Sequence, residues 1–473
     1  MSLASLEPRL ALSPLDGRYA AVTAPLLDYF SEAALNRARI LVEIEWLIHL
    51  LDHRVLPGGP SLDQGERDYL RQIVEGFGPA EIAELGGIER QTAHDVKAVE
   101  YFLQRRLADA AAVLGPGTCL GPSLNPAIHF ALTSEDVNSL AYALVIRGAM
   151  RRVWLPAGDG LIQDLTQLAH ANADLAMLAR THGQPATPTT LGKEMAVMAH
   201  RLERAVRRVK RVEYVGKLNG ASGTFGAHMI AVPTADWPRI SRVFVEKLGL
   251  TWNPLTTQIE SHDWQAELYS ELARFGRVAH NLATDMWSYI SLGYFAQARG
   301  HGTVGSSTMP HKVNPIRFEN AEANFEIAAA VFDALGATLV TSRLQRDLTD
   351  STTQRNIGVA MGHSLLAIDN LRRGLAGLDV NPEPIAADLA ANPEVLAEPI
   401  QSAMRAAAIA GVQGMDDPYE RLKELTRGRR VSLDEIRQFI ATLGLPSDVT
   451  LRLSELSPAD YTGLAARLVA DYL

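Results

Sequence analysis

The feature that most constrains the fold is a heptad spacing of apolar residues in two long stretches of the chain. In residues 191–212 and again in residues 268–289, apolar side chains recur at alternating intervals of four and three positions. A period of about 3.5 residues is typical of long helices that pack side by side at small crossing angles. A two-stranded coiled coil is the alternative, but several such helices in one chain favour a helical bundle. The apolar positions are Leu191, Met195, Met198, Leu202, Ala205, Val209 and Val212 in the first stretch and Leu268, Leu272, Phe275, Ala279, Leu282, Met286 and Tyr289 in the second.

The rest of the pattern predicts an all-α protein with three helical domains, because no alternating β pattern of comparable strength is visible. At 473 residues the chain exceeds one average domain. Breaks rich in Gly and Pro divide it into an N-terminal domain (1–122), a central long-helix bundle (123–370) and a C-terminal domain of shorter helices (371–473). Helices with such long apolar stripes have more apolar surface than one bundle covers, so we expect several chains to form a larger helical core.

Local signals predict where several helices begin. Ser31 is placed as the N-cap of a long apolar helix. The sequence Thr133-Ser134-Glu135-Asp136 has the form of a capping box before an apolar-periodic run. Residues 89–95 lead into a further predicted amphipathic helix, which carries Val96, Val99, Leu103 and Leu107 on its apolar face and has His94 and Asp95 in its first turn. Near the N-terminus, residues 13–19 contain Pro and Gly and predict a turn.

Composition excludes several classes of function. A net charge of −9 argues against a general nucleic-acid or anionic-membrane binder. The single cysteine, Cys119, excludes an intrachain disulfide framework and is typical of a reducing compartment. It follows Gly-Pro-Gly-Thr, which indicates an incidental residue rather than a nucleophile. With no signal-peptide pattern and no apolar run of about 20 residues, we expect a soluble, cytoplasmic protein that binds neither nucleic acid nor membrane.

A polar stretch, 302–315, lies between two long helical patterns. Its sequence is Gly302-Thr-Val-Gly-Ser-Ser-Thr-Met-Pro-His-Lys-Val-Asn-Pro315. Glycine allows the backbone to approach a ligand closely, and proline prevents helix formation. Hydroxyls, an imidazole, an ammonium and an amide occur together here, as needed to remove a proton and stabilise the resulting anion. An ordinary surface loop is the alternative, since a catalytic site needs geometry as well as residue types.

A second polar interruption, Arg180–Pro188, contains His182. Histidine is the side chain best suited to exchange a proton near neutral pH. A structural role in a turn is the alternative, because a lone histidine is more often structural than catalytic.

These motifs resemble those of a known enzyme group. The stretch Ser306–Pro315 resembles the signature loop of the fumarase/aspartase superfamily, whose members eliminate fumarate from succinyl-containing substrates. Within that superfamily, Thr181–Pro188 resembles the corresponding motif of the adenylosuccinate lyase family. The resemblance covers essentially the whole chain, from the turn at 13–19 to a tail at 419–428 that is similar to the bacterial form.

The resemblance implies a β-elimination that breaks a C–N bond. The implied substrates are adenylosuccinate, which gives AMP and fumarate, and the succinocarboxamide ribotide SAICAR, which gives AICAR and fumarate. The implied enzyme needs neither metal nor other cofactor, and the sequence has no P-loop, zinc spacing or EF-hand pattern. In the superfamily, active sites form where three subunits of a tetramer meet, so a homotetramer is expected.

The resemblance also implies the catalytic roles. Ser306 would be the general base and His182 the general acid. Because a serine hydroxyl is a weak base, it would need activation by Lys312 and by backbone amides of the loop. Glu319 would orient and polarise the catalytic histidine. A solvated glutamate at the start of the next helix is the alternative for that residue.

Substrate-binding residues follow from the same motifs. Those implied for the succinyl group are His94, Thr133, Ser134, Gln258, Ser307 and Asn314, with Lys312 beside them. Those implied for the phosphate are Arg18, Tyr19, Ser351 and Arg355, since guanidinium groups suit phosphate oxygens. Arg346 and Asn320 are assigned to the ribose or carboxylate region, and the motifs also include Ala93, Asp95, Val313, Thr352, Thr353 and Gln354. Ala93 replaces the asparagine common in the bacterial pattern, a departure that affects one hydrogen bond to the substrate but not the chemistry.

Two other functions share part of this pattern. Argininosuccinate lyase, fumarase and aspartase have a similar loop, but the substrates of fumarase and aspartase carry no phosphate for Arg18 and Arg355. A non-catalytic helical scaffold with the same fold would not need Ser306, His182 and Lys312.

Overall fold

The computed structural model describes residues 11–297, 309, 313–426 and 431–473. Helices form most of the regular structure in these ranges, which confirms the predicted all-α class. In chain order the helices are α1 Ala20–Thr23, α2 Leu27–Phe30, α3 Glu32–Asp52, α4 Gln64–Glu75, α5 Pro79–Thr92, α6 Asp95–Leu114, α7 Ser134–Ala149, α8 Leu155–Ala171, α9 Leu191–Val209, α10 Gly226–Ala231, α11 Trp237–Lys247, α12 Asp263–Ser291, α13 Ile316–Leu339, α14 Thr349–Gln354, α15 Ile357–Ala376, α16 Pro382–Ala390, α17 Ala397–Ile409, α18 Pro418–Thr426, α19 Leu433–Ala441, α20 Ser447–Glu455 and α21 Ala465–Tyr472. None of these helices, within the ranges just given, is long and apolar enough to cross a membrane.

Three small two-stranded sheets accompany the helices. The strands β1 Ala176–Thr181 and β2 Gln184–Thr190 are antiparallel, β3 Val215–Gly216 and β4 Thr251–Trp252 are parallel, and β5 Phe295–Gln297 and β6 Leu378–Val380 are antiparallel. The sequence analysis predicted none of them. The strands β3 to β6 have only two or three residues, too few to show alternation. The two longer strands do not alternate, because β1 buries adjacent residues and β2 contains two prolines.

The chain divides into two compact units. Unit 1 comprises Met1–Gly158, Ala205–Arg277 and Ala323–Asp369, and unit 2 comprises Asp159–Arg204, Val278–Glu322 and Asn370–Leu473. The division into three domains at residues 122 and 370 stays a prediction. Helix α15 continues without a break across the second of these positions.

In unit 1, helix α3 is buried on nearly every side. Its N-cap is the predicted Ser31, whose Oγ accepts a hydrogen bond from the backbone N–H of Ala34 at 3.1 Å. The side chains of Ile40, Ile44 and Ile48 lie in an apolar cluster that also contains residues of α5 and α6. A helix enclosed in this way must pair any charged side chain that it carries.

The amphipathic helix predicted to have His94 and Asp95 in its first turn is present as α6. Helix α5 ends at Thr92, and Ala93 has a left-handed backbone with φ of 51°. Helix α6 begins at Asp95, with His94 as its N-cap. The His94 Nδ1 accepts a hydrogen bond from the backbone N–H of Lys97 at 3.1 Å, so the imidazole replaces a missing intrahelical partner.

The two heptad stretches form the predicted long helices, α9 and α12. Every predicted apolar position in 191–212 is buried, and so is every one in 268–289 except Tyr289, which is half-buried. The heptad period therefore identified both helices and their buried faces from sequence.

A fully buried ion pair holds the start of α7. The predicted capping box is present, and the Asp136 carboxylate accepts a hydrogen bond from the backbone N–H of Thr133 at 2.9 Å. The same carboxylate lies 2.8 Å from Lys217 Nζ, and both side chains are completely buried. It also accepts a hydrogen bond from the backbone N–H of Asn219 at 3.0 Å. The pair thus ties the predicted substrate residues at the start of α7 to the chain that follows β3.

Replacing Lys217 tests the importance of this pair for folding. We expect Lys217→Met to lower the free energy of unfolding by about 3–5 kcal/mol, because it leaves the Asp136 carboxylate buried without its cation. Denaturant unfolding followed by circular dichroism measures the change.

Arg242→Met is the matched control, because Arg242 forms an exposed i,i+4 ion pair with Glu246. Losing such an exposed pair should leave the free energy of unfolding nearly unchanged, because water screens the two charges. Equal destabilisation by the two variants would contradict the role given to Lys217.

Candidate active site

Unit 1 brings together residues predicted to bind the substrate phosphate. Arg355 follows α14, and its Nη1 donates a hydrogen bond to Ser351 Oγ at 2.8 Å. Its Nη2 lies 3.5 Å from the Asp95 carboxylate at the start of α6. Arg355 also lines a cavity of about 180 Å³ with Tyr142 and Gln354. An exposed guanidinium beside a hydroxyl is suited to phosphate oxygens.

Asp95 forms an ion pair with Arg39, a residue that the sequence analysis did not identify. Arg39 of α3 is buried, and its Nη2 lies 2.7 Å from the Asp95 Oδ2. Burial alone would raise the pKa of Asp95, but the charge of Arg39 and the backbone N–H of Val96 lower it below its ordinary value. An arginine inside an apolar helical run was the available signal, since a buried charge requires a partner.

A second cation of unit 1, Arg346, is also paired with a buried acid. Its Nη2 lies 2.8 Å from the Glu135 Oε1. Burial raises the pKa of Glu135, while the Arg346 charge acts in the opposite direction. The Nε of Arg346 is buried and has no hydrogen-bond acceptor in the part of the chain that the structure describes.

The predicted turn near the N-terminus is confirmed. The backbone N–H of Tyr19 donates to the carbonyl of Pro14 at 2.9 Å. Arg18 is exposed, with its guanidinium carbon 5.9 Å from the centre of the Tyr19 ring.

The remaining predicted residues of unit 1 occupy helix starts and loops. Thr133 and Ser134 are half-buried at the start of α7. Gln258 donates a hydrogen bond from Nε2 to the carbonyl of Ala221 at 3.2 Å. On α14, Thr352, Thr353 and Gln354 accompany Ser351, and only Gln354 of these is buried. Ala93 and His94 are exposed at the break between α5 and α6.

Unit 2 places His182 at the tip of a β-hairpin. Strands β1 and β2 are joined by the two residues His182 and Gly183, and Thr181 pairs with Gln184. Both turn residues have positive φ, 53° and 76°. That geometry matches the twist of the strands and favours glycine at the second position. The imidazole is exposed, which leaves it accessible for proton transfer.

The base of this hairpin is fixed by packing and charge. Arg180 donates from Nη2 to the Asp388 carboxylate of α16 at 2.5 Å, and the Tyr294 hydroxyl donates to the same oxygen. Leu178 packs in a small apolar cluster with Leu389. The exposed turn that carries His182 is therefore joined to a hairpin base that is fixed to α16.

The predicted residues of the stretch 302–315 fall partly outside the part of the chain that the structure describes. Ser306, Ser307 and Lys312 are outside. Val313 and Asn314 are half-buried, and the Gln297 Nε2 donates to the Val313 carbonyl at 2.9 Å. This bond joins the end of β5 to the residues that precede α13.

Glu319 and Asn320 lie in the first turn of α13. Glu319 is exposed, and its Oε1 accepts a hydrogen bond from the Trp287 Nε1 at 3.2 Å. Asn320 is half-buried. Glu319 is therefore partnered rather than simply solvated, and its second carboxylate oxygen offers further acceptor sites.

Cys119 is a poor candidate nucleophile. Its Sγ lies 3.3 Å from the Glu66 Oε2. Partial burial and the neighbouring Glu66 carboxylate raise the pKa of the Cys119 thiol to about 11. The thiolate is the reactive form, so this thiol is protonated and unreactive near neutral pH.

Comparisons with known proteins first define the fold and the class. In fold the chain is similar to a fumarate lyase from Mesorhizobium sp. BNC1, with a TM-score of 0.73, 18% identity and coverage of 94% of this chain and 96% of that one. It is also similar to a 3-carboxy-cis,cis-muconate lactonizing enzyme from Pseudomonas putida, with a TM-score of 0.68, 20% identity and coverage of 94% and 95%. A family model described as "Lyase" matches residues 17–332, and one described as "Adenylosuccinate lyase C-terminal" matches residues 342–462. The protein is therefore an enzyme of the lyase class.

Curated relatives identify the particular family. The chain is 45% identical over 471 residues to the adenylosuccinate lyase of Escherichia coli (strain K12), covering 100% of both chains. It is 45% identical over 464 residues to that of Haemophilus influenzae (strain ATCC 51907 / DSM 11121 / KW20 / Rd), covering 98% of this chain and 99% of the relative. The chain belongs to the adenylosuccinate lyase family, which confirms the resemblance found in the sequence.

The thiol of Cys119 should react slowly with an alkylating agent. Since its pKa is raised to about 11, the alkylation rate of the folded protein should still be rising with pH well above pH 9. Iodoacetamide labelling followed by mass spectrometry measures this profile.

Glu66→Gln is the matched variant, because it removes the carboxylate charge and should shift the profile to lower pH. A profile of the original chain with its midpoint near pH 8.5, the ordinary value for a cysteine, would contradict the assignment.

Proposed function

We propose that this enzyme cleaves adenylosuccinate to AMP and fumarate, and SAICAR to AICAR and fumarate. The observation that carries the substrate assignment is the pair formed by Arg355 and Ser351 beside a cavity. A guanidinium held next to a hydroxyl suits a phosphate, and both proposed substrates carry one. Fumarase and aspartase substrates have none, so this pair favours a nucleotide.

In the proposed reaction, Ser306 removes a proton from the carbon next to a succinyl carboxylate. Electrons then move to form the double bond of fumarate, the C–N bond breaks, and His182 protonates the departing nitrogen. The intermediate carries additional negative charge on that carboxylate, so donors must already point towards it. Lys312, Ser307 and Asn314 are the proposed donors for this charge.

Other residues position the acid and the substrate. Glu319 is proposed to accept a hydrogen bond from the catalytic imidazole, which fixes its tautomer and raises its basicity. His94, Thr133, Ser134 and Gln258 are proposed to surround the succinyl group, and Arg18 and Tyr19 to contribute to the phosphate site. Arg346 and Asn320 are proposed to face the ribose or carboxylate region of the substrate.

We further propose a homotetramer in which different subunits contribute His182 and Ser306 to one active site. Large apolar side chains remain exposed on the long helices, namely Val197 of α9, Trp287 of α12 and Ile327 of α13. Exposed apolar faces on bundle helices are typical of surfaces that subunits cover. We also propose a cytoplasmic location, in keeping with a chain that has one cysteine.

The substrate assignment is tested by a panel of four compounds. Purified enzyme is incubated with adenylosuccinate, argininosuccinate, aspartate or malate, and the ultraviolet absorbance change is recorded. We expect loss of adenylosuccinate alone, with AMP and fumarate formed in equal amounts. Turnover of one of the other compounds would contradict the phosphate site, and no turnover by a folded assembly would favour a scaffold.

The shared active site is tested by mixing two inactive variants. Ser306→Ala and His182→Ala should each lower kcat by about 10²–10⁴-fold or more, because each removes a proton-transfer group. If each active site takes Ser306 from one subunit and His182 from another, random mixing of equal amounts restores both original side chains in about a quarter of the sites. About a quarter of the original activity should then return after subunit exchange.

His170→Ala is the control for the loss of an exposed histidine. His170 lies in the last turn of α8 and is exposed, so its replacement should leave kcat unchanged. No recovery of activity after mass spectrometry has verified the exchange would exclude sites shared between subunits.

A further inference from the structure

We propose that Arg39, buried in helix α3, is a positioning residue for the substrate phosphate. It does not contact the substrate. It holds the Asp95 carboxylate and compensates its charge, so that Arg355 keeps its positive charge for the phosphate. This inference rests on the proposed role of Arg355 as a phosphate ligand.

The Arg39 guanidinium is fixed in one orientation by three acceptors. Its side chain is 2% exposed. The Nε donates to the Asn138 Oδ1 at 2.9 Å, the Nη1 donates to the Asn36 Oδ1 at 2.8 Å, and the Nη2 donates to the Asp95 Oδ2 at 2.7 Å. A planar fork of donors makes these bonds together, and the single ammonium of a lysine could not reproduce them.

Asp95 is the only charged acceptor among these three, and it lies between two guanidinium groups. Arg39 is 2.7 Å from its Oδ2, whereas Arg355 is 3.5 Å from the same atom. The closer and more deeply buried partner compensates most of the carboxylate charge, because electrostatic interactions strengthen with burial. Without Arg39, Asp95 would pair with Arg355 and compete with the phosphate.

Among the residues that the structure describes, Glu32 also places a carboxylate near Arg355. The Glu32 Oε2 lies 3.6 Å from the Arg355 Nε, and the Glu32 side chain is 51% exposed. Ion pairs at that exposure are weak and are screened by salt. Glu32 therefore competes with a phosphate much less than an uncompensated Asp95 would.

The same guanidinium also supports the second cation of the site. Asn138 accepts from Arg39 through Oδ1 and donates through Nδ2 to the Glu135 Oε1 at 2.8 Å. That oxygen lies 2.8 Å from Arg346 Nη2. A continuous network thus connects the two cations Arg355 and Arg346 through the partly buried Asp95 of α6 and buried side chains of α3 and α7. Arg39 lies at the centre of this network, because it donates hydrogen bonds both to Asp95 and to Asn138.

The test compares binding of AMP with binding of adenosine, which lacks the phosphate. Isothermal titration measures both dissociation constants for the original enzyme, Arg39→Met and Arg39→Lys. We expect Arg39→Met to weaken AMP binding about tenfold or more and to leave adenosine binding unchanged, since a charge-assisted contact to the phosphate is lost. Arg39→Lys should show a smaller loss of the same kind.

Kinetics provide a second readout. The KM for adenylosuccinate should rise while kcat changes little, because the phosphate contact is made equally in the ground state and the transition state. A purely structural role for Arg39 would instead weaken AMP and adenosine binding alike, or lower kcat by reducing the folded fraction. Either result would overturn the proposal.

Glu43→Gln is the matched control. Glu43 lies one helical turn after Arg39 on α3, is equally buried, and accepts a hydrogen bond from the backbone N–H of His129 at 3.0 Å. Its replacement should destabilise the fold without changing the ratio of AMP to adenosine affinity. A changed ratio in this control would show that any damage to α3 alters the site, which would overturn the specific role of Arg39.

Two further variants separate the possible failures. If Arg39→Met does not fold, the AMP and adenosine affinities of Arg39→Lys test the proposal instead. The lysine keeps the buried positive charge and lacks only the forked set of guanidinium donors. Arg355→Met is measured alongside. If it leaves the preference for AMP over adenosine intact, the proposed phosphate site is wrong. If it removes that preference while the Arg39 variants keep it, the phosphate site stands and the positioning role fails.

Discussion

The arrangement of charged residues around Arg355 in unit 1 depends on the ion pair between Arg39 and Asp95. Taking a guanidinium out of water is costly, and only well-aligned partners offset that cost. Here two side-chain amides and one carboxylate accept hydrogen bonds from the guanidinium. The pair also fixes the first residue of α6 against α3. The same ion pair therefore fixes the packing of α6 against α3 and the position of the carboxylate near Arg355.

The features that sequence predicted have local physical causes. Ser31 was identified as an N-cap because a hydroxyl satisfies a free backbone N–H one turn later. The capping box at Thr133 and the heptad helices α9 and α12 follow from spacing within a few turns. The long signature loop identified the superfamily because its residues are contiguous, although its central residues lie outside the described part of the chain.

Other features could not be predicted, since their causes are distant in sequence. Arg39 and Asp95 are 56 positions apart, and only the fold brings them together. The left-handed backbone of Ala93 has no local signature, because alanine rarely adopts this conformation. His182 was recognised by motif, but the hairpin that displays it contains prolines and depends on the Asp388 carboxylate for its anchor. The motif of this hairpin was thus easier to recognise in the sequence than the contacts that hold the hairpin in place.

The most direct measurement is a crystal structure of the enzyme with AMP and fumarate bound. Our account predicts the AMP phosphate within hydrogen-bonding distance of both Arg355 and Ser351, with the Arg39–Asp95 pair intact beneath them. A phosphate bound elsewhere, or an Arg355 that remains turned towards Asp95 and away from the ligand, would contradict it.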